Sequence, residues 1–246
     1  MDVTGYLDEL QRQGRALAAA AAAAGVDAPV PTCPGWTVRD LLAHTGGVHA
    51  WAVPFVRADP AADPDVAEDD LARPEGDPLA WYRERNAELV AALRAAPPDL
   101  PTGAFLPAPS PLAFWARRQA HEAAVHRADA DAAAGTPDPA AGHPTEFAVD
   151  GIDELLMGFL SRPGRLRSDA AYRFVVAPDD APARWLVEVG PDGATIERGT
   201  GPADATLRGS AGLLYLHLWN RVPAVPVEGD AAVAARWREL ARVTWE

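Results

Sequence analysis

Lysine is absent from the chain: all 22 basic residues are arginine, which excludes catalysis through a lysine Schiff base. Cysteine occurs once, as Cys33, so there is no internal disulfide and no zinc site built from several thiolates. Metal ligands would then have to come from His, Asp or Glu. No apolar run reaches the ~18 residues of a membrane-spanning helix, and the opening segment MDVTGYLDELQRQGR lacks the basic-then-apolar order of a signal peptide. The expectation is a cytoplasmic protein with no membrane contact. The sequence also contains no P-loop, no G-x-G-x-x-G and no G-x-S-x-G. Positive charge is scarce too: the formal net charge is −13 with acidic residues scattered along the chain, a field that repels phosphate backbones and argues against a nucleic-acid partner.

What is present is enough apolar material for a substantial core, 48% of 246 residues, and a length that suits two modest domains. The first part reads as helices. Tyr6 to Ala24 has helical apolar spacing and stops at Gly25; Thr37 and Asp40 form the T-x-x-D variant of a capping box, which predicts a second helix from there to about Arg57. Further helices are expected over Pro78–Ala95 and Pro111–Ala134, giving a four-helix bundle. The Pro- and Gly-rich run TPDPAAGHPT marks a boundary, with domains expected over 1–140 and 146–246. The second domain reads as α+β: a helix over 146–160, strands AYRFVVAP, ARWLVEVG, GATIERG and ADATLRGS, a helix GLLYLHLWN, a short strand VPVEGD, and a last helix over 231–243. A small, mostly antiparallel sheet covered by helices follows from that order.

Candidate chemistry concentrates on two of the helices. In FWARRQAHEAAVHRADAD, Glu122 and His126 are four apart and share one stripe, an arrangement that offers two metal ligands from one helix and that also occurs as a surface ion pair. Trp115 lies near the same stripe and is a candidate wall for a site. Asp129, three residues beyond His126, suits an acceptor for an imidazole N–H, although a solvated acid at a helix end is the plainer expectation. The second predicted helix supplies His44 and His49, both compatible with an inward direction, and periodicity does not choose between them. A His, His, Glu set leaves one open position on Zn²⁺, the pattern of catalytic zinc. Cys33 precedes the helix start and reads as packing rather than as a reactive thiol. Gly46-Gly47, costing about 2 kcal/mol of helix propensity against two alanines, points to a close approach of another segment or to space beside a ligand.

The run TCPGWTVRDLLAHTGGVHAW, followed by RRQAHEAAVHRADAD, resembles the mycothiol-dependent maleylpyruvate isomerase family, and ADATLRGSAGLLYLHLWNR with VPVEGDAAVAARW is similar to that family's second domain. The resemblance implies a DinB-like, all-α four-helix bundle followed by a small α+β domain of sterol-carrier type. It implies His44, Glu122 and His126 as ligands of Zn²⁺ or another divalent metal, and so selects His44 over His49. It implies mycothiol as a thiol cosubstrate and an actinobacterial origin. The activity implied is cis–trans isomerisation of the maleylpyruvate type, or thiol transfer to another small electrophile, with an arginine of the second domain holding a substrate carboxylate. Arg221 is the candidate and Arg208 the alternative. A metal-dependent hydrolase and a non-catalytic small-molecule-binding protein remain rival readings, and the expected assembly is a monomer or a weak homodimer.

Overall fold

Four helix starts, each built by a short polar side chain, set out the first unit of the structure, a computed structural model that describes residues 1–241. Contacts divide the chain into Met1–Pro139 and a second unit beginning at Ala140. In the first unit α1 spans Val3–Ala24, α2 Val38–Val56, α3 Pro78–Ala95 and α4 Pro111–Ala133. Asp2 accepts from the Gly5 N–H at 2.8 Å, which starts α1 three residues ahead of the apolar pattern. The predicted capping box of α2 is formed: Asp40 Oδ2 accepts from the Thr37 N–H at 2.8 Å while Thr37 Oγ1 accepts from the Asp40 N–H. Asp77 and Ser110 cap α3 and α4, and each is followed by a proline at the first helical position, where no N–H is needed.

The bundle packs α1 against α4 and α3, and α2 against α3 and α4. Its core joins Leu17 and Ala21 of α1 to Leu41 and Leu42 of α2, Tyr82 of α3 and Ala130 of α4. Cys33 is half-buried against this cluster, in keeping with the packing role read for it. The pair Gly46-Gly47 is accounted for by close approach. A Cβ on Gly46 would fall inside the Trp81 ring, and one on Gly47 would sit 2.9 Å from the Ala72 carbonyl oxygen and 3.1 Å from Leu71 Cβ.

The second unit is α+β, as the residue pattern predicts. α5 spans Thr145–Asp153 and widens into π-helical turns over Glu154–Leu160, so the single helix expected over 146–160 changes pitch midway. The change coincides with Asp153, whose carboxylate accepts from Trp185 Nε1 at 2.7 Å and pairs with Arg198, tying that turn to the sheet. The strands are β1 Tyr172–Pro178, β2 Trp185–Gly190, β3 Gly193–Arg198, β4 Ala205–Gly209 and β5 Val227–Gly229, in the order β3-β2-β1-β4-β5. All neighbours are antiparallel except β1 with β4. α6, Ala211–Leu218, follows β4 directly, and α7 covers Ala232–Leu240. Residues 242–243 of the last expected helix lie outside the described residues. Among the described residues no helix is long and apolar enough to cross a membrane.

The Gly46 contact generates a stability prediction. Gly46→Ala gains about 1 kcal/mol of helix propensity but forces a methyl into the Trp81 ring, an overpacking cost of about 1–3 kcal/mol. A net loss is expected in urea denaturation. Gly76→Ala, in open space, should leave the midpoint unchanged.

Candidate metal centre

Glu122 and His126 rise one turn apart from the same face of α4, and His126 Nε2 lies 3.1 Å from Glu122 Oε1. The third residue arrives on α2. The capping box fixes the start of that helix, and two turns later His44 places its Nε2 3.5 Å from the same carboxylate oxygen. One donor atom from each of His44, Glu122 and His126 lies within 4.8 Å of the other two. The structure therefore brings these three side chains together and leaves His49 out of the cluster.

The electrostatics of the trio follow from burial and from its neighbours. Burial alone would raise the Glu122 carboxyl; the His126 charge, hydrogen bonds to both histidines and the Arg118 guanidinium outweigh it and hold the group well below the usual carboxylate range. Arg118, itself buried, reaches Glu122 Oε2 at 3.0 Å, so the two carboxylate oxygens are divided between the imidazoles and a guanidinium. For His126 burial opposes the charged form, but Glu122 and Asp129 prevail and lift its pKa to about 9. A surface Glu–His pair, the plainer reading of the spacing, does not describe this geometry.

Asp129 departs from the plainer expectation as well. It is fully buried, its Oδ2 lies 2.8 Å from His126 Nδ1, and its Oδ1 accepts from Thr32 Oγ1 at 2.5 Å. Thr32 comes from the loop before α2, which is held by Val30 N–H to Trp36 O and by a type II turn, Cys33 to Trp36, with Gly35 at φ 88°. That turn sets the Trp36 ring against both imidazoles, 5.0 Å from His44 and stacked at 6.3 Å on His126. Trp36 is thus the wall of the site. Trp115, the wall expected from the stripe, instead joins an aromatic cluster with Trp51, Phe55 and Phe114. On the open side a cleft of about 360 Å³ is lined by Trp36, Asp40, His44, Glu68 and Arg73, among others.

Arg221 and Arg208 belong to the second unit. Arg221 follows α6 and donates to the Trp219 carbonyl at 2.8 Å. Arg208, on β4, is engaged by Glu228 at 2.6 Å and Asp179 at 3.3 Å on the surface.

A family model described as the mycothiol maleylpyruvate isomerase N-terminal domain matches residues 7–131, and a second, the C-terminal domain of the same family, matches residues 146–236. The chain belongs to the mycothiol maleylpyruvate isomerase family. Two solved structures share the fold of the family across both units: a mycothiol-dependent maleylpyruvate isomerase, with a TM-score of 0.65, and a histidine-to-alanine mutant of such an enzyme, with a TM-score of 0.64. Each is 13% identical in sequence, with 92% of this chain and 93% of that chain covered. No curated protein matches the sequence at a significant level.

His49 lies outside the His44, Glu122, His126 cluster, with its ring 5.7 Å from Tyr82 and no hydrogen-bonding partner for either nitrogen among the described residues. Burial lowers its pKa from 6.5 to about 4, the Glu122 charge opposing that shift and His126 and His44 adding to it. Between those values the unfolded chain takes up a proton that the folded chain does not, so stability falls as pH drops through this window, by about 3 kcal/mol at most. His49→Leu is expected to lose that share of the acid sensitivity. Urea denaturation of both proteins at pH 7, 5.5 and 4 measures the difference; parallel pH profiles would refute it.

Proposed function

We propose that the protein is a divalent-metal enzyme that uses mycothiol as cosubstrate, either to isomerise a cis-unsaturated acid of the maleylpyruvate type or to transfer the thiol to another small electrophile. The observation that carries the reading is the His44, Glu122, His126 donor set in a protein of this family. The donor chemistry fits zinc: two imidazoles and one carboxylate, with an outer carboxylate beside the second nitrogen of each imidazole. A divalent cation bound there would supply a thiol with a lowered pKa at neutral pH.

The protein groups have separable tasks in this reading. His44, Glu122 and His126 hold the cation, and Arg118 keeps Glu122 ionised and oriented through Oε2. Asp129, locked by Thr32, keeps the Nδ1 proton of His126 in place and its Nε2 free to donate. Trp36 closes one side against water, and the cleft beside His44 admits the reactants. Arg221 is proposed as the guanidinium for a substrate carboxylate. In the isomerisation the sulfur adds to one carbon of the cis double bond, rotation follows about the resulting single bond, and the C–S bond breaks as the trans double bond forms. The thiol is returned and nothing is oxidised. A cytoplasmic setting, in which small thiols stay reduced, suits such a cosubstrate, and the domain division 1–140 and 146–246 would place all three ligands in the first domain.

Metal analysis together with an activity screen tests the proposal. About one zinc per chain is expected in the purified protein, with loss of the metal in His44→Ala and Glu122→Ala, and turnover of maleylpyruvate or a panel electrophile only with mycothiol present. Full occupancy in both variants would remove the triad from consideration. Turnover without thiol would favour a hydrolase, and a metal-free protein that retains an apolar ligand would favour the binding-protein reading.

A further inference from the structure

We infer that a groove between α1 and α3, separate from the candidate metal centre, binds an elongated organic anion with a negative group at each end. The groove has a volume of about 460 Å³, the size of a small-molecule site. Arg15, Arg83 and Arg94 line it, and none of the described lining residues is acidic. In a chain of net charge −13 this is a local reversal of the field. The pairing of the arginines sharpens the contrast. Arg12, Arg39, Arg57, Arg85, Arg118 and Arg127, elsewhere in the first unit, each meet a carboxylate. Among the described residues Arg15, Arg83 and Arg94 meet none, and all three line this one groove.

Helix geometry sets where the charges stand. Arg83, Ala87, Val90, Ala91 and Arg94 recur at helical spacing on one face of α3, and Gln11, Gly14, Arg15 and Ala18 do the same on α1. Gln11 Oε1 accepts from Arg94 Nη2 at 3.2 Å, while a Cβ on Gly14 would lie 2.5 Å from both polar atoms of the Asn86 amide. The two helices therefore run antiparallel along the groove. Arg15, one residue past Gly14, falls toward Arg83, and Arg94 stands at the other end, about 16 Å away at 1.5 Å per helical residue. Between these basic ends the lining is short and apolar, with Ala18, Ala87, Val90 and Ala91. Asn86 also lines the groove; it is only 7% exposed, and its Nδ2 has no hydrogen-bonding partner among the described residues. A buried donor of that kind is uncommon in a folded protein, and an acceptor entering the groove would satisfy it. Guanidinium forks match the oxygens of phosphates and carboxylates, so the ligand is a molecule with such a group at either end and a less polar middle.

Calorimetric titration of the full chain at low salt tests the inference, with fructose 1,6-bisphosphate, octanedioate and inorganic phosphate as probes. At least one of the two long anions is expected to bind about tenfold or more tighter than inorganic phosphate, which fills one end only. Which of the two binds tighter separates a phosphate ligand from a carboxylate one. Ala87→Glu places an acid in the middle of the groove at an exposed helical position, and the double variant Arg15→Gln, Arg83→Gln removes one basic end. Each is expected to weaken the long anion about tenfold or more, whereas Arg39→Gln, at a paired arginine outside the groove, should leave it unchanged. Should Ala87→Glu not fold, the double variant decides, since both of its positions are exposed. No binding of either long anion to the wild type would overturn the inference. An equal loss in Arg39→Gln would replace it with a general charge effect. Binding that survives both groove variants would place the anion elsewhere and overturn it as well.

Discussion

A carboxylate placed inside a helical bundle has to be compensated on both of its oxygens, and the polar interior of the first unit is arranged around that requirement at Glu122. One oxygen faces two imidazoles and the other a buried guanidinium. Neither helix meets this need alone. α4 supplies Arg118, Glu122 and His126 at successive turns of one face, but His44 has to come from α2, and the ends of α2 and α4 are fixed by caps that set the height of each side chain. Removing Arg118 would leave one of the two oxygens without its partner in a low-dielectric setting, a costly defect in such a core. The same arrangement that stabilises the charge gathers three donor atoms toward one point, so the ordering of the bundle and the readiness of the site are a single physical problem.

The parts legible in the sequence are those governed by short-range rules. Capping residues, proline at first helical positions and the period of the apolar residues give the four bundle helices nearly to the residue, and alternation with turn residues gives five short strands. The pairing of Glu122 with His126 is also local, since four residues make one turn. Choosing His44 over His49 was not a local matter: both are on one helix, both face inward, and only the resemblance to a family separated them. The physical distinction appears once α3 is in place, because Tyr82 fills the space beside His49 while His44 faces α4.

Other residues of the site escaped notice for definable reasons. Trp36 and Thr32 lie in a loop whose conformation depends on one left-handed glycine and a pair of hydrogen bonds across the loop, signals that mark a turn without saying what it points at. Glu68 stands in an acid-rich connection directly before Asp69 and Asp70, so nothing in composition separates it from those two. Asp129 was singled out as an acceptor for an imidazole N–H, with a solvated acid as the plainer expectation, whereas Arg118 was accessible only in principle. Their spacings to His126 and Glu122 are three and four, but such spacings describe solvated helix faces equally well, and only burial tells the two apart.

The parallel pairing of β1 with β4 has a bearing on how the second unit comes into being. The hairpins β1–β2 and β2–β3 join neighbours in sequence and can form as soon as each turn is made, but the other edge of β1 has to wait until the chain has doubled back and laid β4 beside it. During that interval β1, the most apolar strand of the sheet, presents an unpaired edge. The β1–β4 seam is therefore a non-local pairing, the kind that forms slowly, and until it forms the strand that later becomes well protected has an edge open to pairing with another chain.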